Sequence, residues 1–110
     1  MIVELEGFAI YPGKWQRAQE WLAFLRRNQT KVNRTLIAEN MSLEHIFSIT
    51  FDNTLYLCWY SNQTASANPV EQSADPIDRQ HVEFWNECVD PDKPSLKFKL
   101  EATFIPPEVD

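Results

Sequence analysis

The chain reads as an α+β sandwich in the order βαββαβ, an antiparallel sheet with its helices on one face. Three observations predict this. Apolar residues alternate with period two in the first ten positions, again on both sides of residue 52, and in the last fifteen. They recur at helical spacing after Lys14 and after Asp75. Between the two central runs stands Asp52-Asn53, a pair suited to a tight hairpin corner. With 110 residues, 44% hydrophobic and 13% aromatic, there is material for one core, so 1–110 is expected to be a single domain.

Taken in order, Ile2 to Ile10 predicts the first strand. Val3, Leu5, Gly7 and Ala9 share one face, and this small face suits close packing under a helix. Tyr11-Pro12-Gly13 breaks the strand. From Lys14 the stripe Trp15, Ala18, Leu22 and Leu25, widened by Trp21 and Phe24, predicts a helix. Val32 and Leu36 continue it beyond a polar interruption at Asn28-Gln29-Thr30. One kinked helix or two short ones therefore end near Asn40.

Leu43 to Phe51 and Thr54 to Ser61 predict a β-hairpin. With a two-residue loop, Phe51 faces Thr54, Ile49 faces Tyr56, Phe47 faces Cys58 and His45 faces Tyr60. On the other face Thr50 meets Leu55, Ser48 meets Leu57 and Ile46 meets Trp59. Both faces carry large apolar groups, whereas a sheet bare on one side should alternate more cleanly. A partner subunit is the simplest cover for the second face, which predicts a homodimer through sheet faces.

Ser61 to Ala74 is polar and long for a connection, a lid or a plain surface excursion. Asp75-Pro76-Ile77-Asp78 starts a helix, with Asp75 as cap, Pro76 in the first turn and Asp78 adding negative charge there. Its stripe is Ile77, His81, Phe84, Trp85 and Cys88, and Asp90-Pro91-Asp92-Lys93-Pro94 ends it. Leu96 to Ile105 predicts the last strand, its Lys97, Lys99 and Glu101 marking an edge. The completed order is the ferredoxin-like arrangement.

Composition excludes several classes. Ten basic against sixteen acidic residues give a net charge of -6, which argues against nucleic acid or anionic membrane as partner. The cluster Arg26, Arg27, Lys31 and Arg34 reads as a solvated helix face. No apolar run approaches a membrane span and no leader is visible, so the expected compartment is the cytoplasm. Cys58 and Cys88 lack metal or redox spacing and read as core residues. No nucleophile elbow, phosphate loop, metal quartet or dinucleotide fingerprint is present, so neither a metal nor a cofactor is expected.

The turn Pro12-Gly13-Lys14, with Leu43-Glu44-His45-Ile46-Phe47-Ser48-Ile49 and Leu55-Tyr56-Leu57, resembles the dimeric α/β-barrel superfamily. That superfamily includes small monooxygenases, haem-degrading enzymes, stress-responsive barrel proteins and rhamnose mutarotase. More closely, Trp59-Tyr60-Ser61 followed by His81-x-x-x-Trp85-x-Glu87-Cys88 is similar to a small bacterial family of uncharacterised function. The resemblance implies two protomers packed sheet against sheet, with a pocket inside each between sheet and helices. It also implies that haem, if any were held, would meet a histidine of the second helix, here His81.

The candidates for lining a ligand pocket are His81, Trp85, His45, Tyr60, Glu44 and Trp59. His81 shares its helical face with Phe84, Trp85 and Cys88. It reads first as a satisfied core histidine and second as an acid-base group. His45 and Tyr60, as cross-strand neighbours, could move a proton and orient a hydroxyl, or simply form an aromatic pair in a dimer interface. Glu4, Glu6 and Glu44 read as partners for Lys97 or Lys99, or as general bases of raised pKa. Two functions remain open. One is a cofactor-free isomerase or oxygenase acting on a small organic molecule. The other is a non-catalytic ligand-binding or structural dimer.

Overall fold

Alternation over the first residues produces β1 (Ile2–Ala9), and Pro12 turns the chain into a 3-10 turn at Pro12–Lys14. The structure is a computed structural model that describes residues 2–66, 70 and 73–108. Next come α1 (Trp15–Arg27) and α2 (Gln29–Ala38), then β2 (Met41–Phe51), β3 (Thr54–Gln63), α3 (Pro76–Cys88) and β4 (Leu96–Lys97). The strand order is β2-β3-β1-β4, antiparallel throughout, which is the ferredoxin-like topology.

The polar interruption divides the first helical region into two helices rather than bending one. Asn28 serves both as the end of α1 and the start of α2, and its side-chain Nδ2 donates to the Phe24 carbonyl, 2.9 Å away. The same carbonyl also accepts the Asn28 backbone N–H at 3.1 Å, so Asn28 closes the last turn of α1 with both its groups. The buried stripe of α1 centres on Ala18 and Trp21, both 0% exposed, while Trp15 at the helix start lies out at 38%.

The hairpin register is the one expected: His45 opposes Tyr60, Phe47 opposes Cys58, Ile49 opposes Tyr56 and Phe51 opposes Thr54. Asp52 and Asn53 both take positive φ (51° and 56°), the two left-handed positions of a type I′ corner. That corner twists with the strands and leaves no freedom to slip.

All three helices lie on one face of the sheet. The core there gathers Ile10, Ala18, Trp21, Leu55, Leu57, Phe84, Cys88 and Val89. Phe8 pairs with Leu57 and Glu6 with Trp59, so the helix-facing side of β1 is the one bearing Glu4, Glu6 and Phe8. The small face therefore turns the other way, which corrects the expectation that it packs under a helix. Gly7 on that side lies opposite Cys58, with Leu96 beside it. A Cβ at Gly7 would sit 2.7 Å from Cys58 Sγ and 3.4 Å from Leu96 Cβ. The smallness accommodates the Cys58 thiol of the neighbouring strand.

Two further corrections concern the ends of elements. β3 runs on to Gln63, two residues beyond Ser61. The reading of 61–74 as a lid or surface excursion falls in part on residues 67–69 and 71–72, which lie outside the described residues. The last strand is far shorter than Leu96 to Ile105: only Leu96 and Lys97 pair, with Gly7 and Glu6, and Phe98 N–H adds one bond to the Leu5 carbonyl at 3.2 Å. β4 does hold the predicted edge position.

Candidate functional site

Where the helices do not close fully on the sheet, a cavity of about 310 Å³ opens. Its floor is the helix-facing side of β1, β2 and β3, and its walls come from α1, α2 and α3. Two kinds of side chain dominate it. Phe8, Trp59 and Trp85 supply aromatic wall, while Glu4, Glu6, Glu39, Glu44 and Asp78 supply carboxylates. No Lys or Arg lies among the described residues that line it.

The aromatic wall is rigid because it is interlocked. Phe8 sits edge-on to Trp85 at 4.6 Å between centroids, Trp59 and Trp85 are 5.1 Å apart, and Trp21 packs behind both at 5.4 and 5.9 Å. Such edge and tilted contacts are the favoured aromatic geometries. Trp21 also fixes His81, since its indole Nε1–H donates to His81 Nδ1 at 3.0 Å. An indole can only donate, so Nδ1 is the accepting nitrogen and the neutral ring carries its proton on Nε2. Taking a proton at Nδ1 would break that bond, so His81 is set as a donor.

The carboxylates converge through three separate local features. Asp78 is the third residue of α3, whose start is built by the Asp75 side chain accepting from Ile77 N–H (2.8 Å) and by Pro76 at the first position. Asp78, His81 and Trp85 then follow at i, i+3 and i+7 on one helical face. Asp78 is 6% exposed, and no described residue donates it a hydrogen bond, yet it borders the cavity. Negative charge there is favoured by the amides of the α3 N-terminus. Glu39 ends α2, and Asn40 in the left-handed region (φ 60°) turns the chain at once into β2. That turn brings Glu39 and Glu44 to the same cavity.

Burial and crowding act together on this pair. Glu44 is pushed up to about 7 by desolvation first and by the charge of Asp78 second. Glu39 also rises to about 7, through desolvation, then Asp78, then Glu44. Carboxylates that keep a proton near neutrality beside another carboxylate are the arrangement from which acid-base pairs are made. Among the described residues, no group of three His, Cys, Asp or Glu side chains is placed to hold a metal ion.

Of the six sequence candidates, the fold brings His81, Trp85, Trp59 and Glu44 to this one cavity. His45 and Tyr60 are neighbours, stacked at 5.8 Å and 18°, but they occupy the opposite face of the sheet. Their parity places them there: His45 alternates with Glu44, and Tyr60 with Trp59. Tyr60 Oη–H donates to Asn62 Oδ1 at 3.1 Å. The expected ion pairs to Lys97 or Lys99 do not form. Glu6 instead accepts a hydrogen bond from Ser95 Oγ.

The sequence reading explains Asp78 as a helix start and does not single out Glu39, which lies beside the helix end expected near Asn40. The i, i+3, i+7 spacing of Asp78 with His81 and Trp85 was the available signal. Glu87, also part of the helical motif, lies outside the cavity. Lys14 Nζ and Arg17 Nε both reach it at 3.0 Å, holding its carboxyl below the usual range and tying α1 to α3. Cys58 and Cys88 are buried free thiols whose pKa values rise through desolvation, which fits inert core groups.

The comparisons with known proteins agree with this architecture. The chain matches, over residues 1–110, the family described as a family of unknown function, DUF6176, and belongs to it. No curated protein matches it in sequence. Among solved structures it is similar to L-rhamnose mutarotase from Formosa agariphila. The TM-score is 0.53 at 16% identity, over 96% of this chain and 98% of that one. At that identity the likeness is one of fold. Among the described residues no helix is long and apolar enough to cross a membrane.

Proposed function

We propose that this member of the DUF6176 family is an isomerase that moves protons on a small, neutral, polyhydroxylated ring bound in the cavity. The observation that carries the reading is Asp78, a buried carboxylate bordering a ligand-sized space without a described hydrogen-bond donor, beside two carboxyls poised near pH 7. Asp78 lines the cavity, where a ligand hydroxyl can donate to its carboxylate. The aromatic wall suits the apolar face of a sugar ring, and the absence of cationic lining among the described residues disfavours phosphorylated or carboxylated substrates. The mutarotase of similar fold supports the class of reaction.

In such a reaction a base takes the proton of the anomeric hydroxyl while an acid protonates the ring oxygen. The bond between anomeric carbon and ring oxygen breaks, giving the open aldehyde. Rotation about the adjacent carbon–carbon bond and reversal of the proton transfers close the other anomer. Asp78 is suited to the basic role. Glu44, half protonated at neutrality, is suited to the acidic one, and each role reverses on closure. His81, held by Trp21, adds a polar ring to the cavity wall.

We place this activity in a homodimer whose subunits meet through the helix-free sheet faces. The exposed Phe47, Ile49 and Phe51 on that face support the placement. The reducing cytoplasm is the compartment we assign, supported by two free thiols.

The test is anomer exchange followed by NMR on a panel of unphosphorylated aldoses that includes L-rhamnose. Wild type should accelerate exchange of at least one sugar. Asp78→Asn and Glu44→Gln should each lower that rate about 10²- to 10⁴-fold with the fold intact. Saturable sugar binding without accelerated exchange would leave a ligand-binding protein. Neither binding nor exchange across the panel would remove the sugar reading.

A further inference from the structure

The charge around the cavity is one-sided. Glu4 and Glu6 reach it from β1, Glu39 from the end of α2, Glu44 from β2 and Asp78 from α3. His81 of α3 is the other titratable residue among the described lining, and its Nδ1 accepts the Trp21 indole N–H at 3.0 Å. From α1 and β3 come Leu25, Trp59 and Ser61, none of them charged. Lys14 and Arg17 form their ion pairs with Glu87 and Glu20, outside the cavity.

Five carboxyls around a space of about 310 Å³ cannot all ionise without repelling one another. The repulsion reaches Glu39 and Glu44, each pushed up to about 7 by desolvation first and by neighbouring negative charge second. In the free protein, bound protons relieve it. A ligand carrying its own positive charge would relieve it as well, and would displace those protons.

The aromatic wall says what kind of cation fits. Phe8, Trp59 and Trp85 line the cavity with ring centroids 4.6–6.0 Å apart. Rings of this kind attract an organic cation through their quadrupole and cover its carbon skeleton, while carboxylates take its charge. A bare metal ion gains nothing from the rings, and no three acidic, histidine or cysteine side chains among the described residues are placed to hold one. The ring opening proposed above points the same way. As the bond from the anomeric carbon breaks, a proton arrives on the ring oxygen and positive charge gathers there. A negative cavity favours that charge over the neutral sugar.

We propose that the cavity is selective for hydroxylated cyclic ammonium ions, rings in which a protonated nitrogen stands where the sugar has its ring oxygen. The ammonium is set among Glu39, Glu44 and Asp78, with the ring carbons against Trp59 and Trp85. The choice of ring rests on the isomerase reading; the preference for positive charge rests on the cavity alone. Lacking an anomeric hydroxyl, such amines are inhibitors of exchange and not substrates.

Dihydroxypiperidines, chosen to stay protonated from pH 5 to pH 8, are compared with the neutral tetrahydropyran diols of the same configuration. Titrations of the full chain in about 0.15 M salt are followed by NMR on the indole N–H signals of Trp59 and Trp85. At pH 8 at least one piperidine should bind about tenfold or more tightly than its diol. Its affinity should fall about tenfold towards pH 5 as the carboxylates take up protons, while the diol stays within about twofold. Glu44→Gln and Asp78→Asn should each remove most of the preference; if either does not fold, the wild-type pH profile decides. Equal affinity within every pair, a preference indifferent to pH, or no binding at millimolar concentration would overturn the inference. So would amine binding that leaves both indole signals in place, which is general attraction to an acidic surface. The isomerase reading fails separately. Selective amine binding without sugar exchange would keep the cation site and remove the isomerase, and exchange that the amines do not inhibit would do the reverse.

Discussion

The two faces of the one sheet are built from adjacent residues and behave as different materials. Glu44, Trp59 and Glu6 line the side under the helices, while their sequence neighbours His45, Tyr60 and Leu5 share the other side. The covered face combines fixed aromatic rings with carboxylates held in a cavity. The open face carries aromatics too, Phe51 stacked on Tyr56 at 5.0 Å and His45 on Tyr60, but it lacks cover over β2. Aromatic content alone therefore does not mark a site. What distinguishes the site is aromatic residues next to clustered carboxylates in a cavity.

The contrast can be broken or sharpened by substitution. The largest effect belongs to Trp21, wholly buried and touching His81, Trp59, Trp85 and Phe84. Trp21→Ala should cost about 3–5 kcal/mol in urea unfolding, whereas Phe47→Ala, measured on the monomeric chain, should cost under about 0.5 kcal/mol. Comparable costs would show that the two faces are equally load-sharing and that the contrast is false.

Next comes a crowded point on the open side. Gly7→Ala drives a methyl to within 2.7 Å of Cys58 Sγ, and should cost about 1–3 kcal/mol in thermal unfolding. Adding Cys58→Ala should recover most of that loss. No recovery would locate the strain in the backbone instead.

The carboxylates give the covered face a pH dependence. Glu44 and Glu39 have folded pKa values raised to about 7 from an ordinary 4.5, so the fold favours their protonated forms. Their stabilising contribution is complete below about pH 4.5, declines as pH rises, and is gone above about 7. Glu44→Gln should therefore raise stability at pH 8 by about 1–3 kcal/mol and change little at pH 4. A gain independent of pH would dissociate Glu44 from this titration.

The smallest expected effect is the one that most directly separates the faces. His45→Ala should leave sugar exchange within about twofold of wild type, because His45 is across the sheet from the cavity. A loss comparable to that of Asp78→Asn would move the chemistry to the wrong side of the sheet.

Much of this was legible beforehand, and the reasons differ by element. The hairpin register could be counted residue by residue, because a two-residue corner with two left-handed positions leaves no alternative pairing. The start of α3 was equally plain, since Asp75 and Pro76 act only on neighbouring backbone. The last strand misled for the opposite reason. Its alternation is genuine, but a strand needs a partner, and the local pattern does not say which chain supplies one. Asp78 was seen as a helix-start charge because its burial comes from β2 and α2, residues distant in sequence.

From the sequence come the order of elements, the corner at Asp52-Asn53, a polar interruption of the first helical region at Asn28-Gln29-Thr30 and the inward face of α3. All of these depend on interactions within a few residues. Which face of β1 meets the helices came only from the tertiary structure, and with it that Gly7 makes room for the Cys58 thiol rather than for a helix. It alone brought Glu39, Glu44 and Asp78 together and placed His45 away from His81. Period-two alternation separates two faces of a strand without saying which is covered, because cover comes from helices placed by the whole fold.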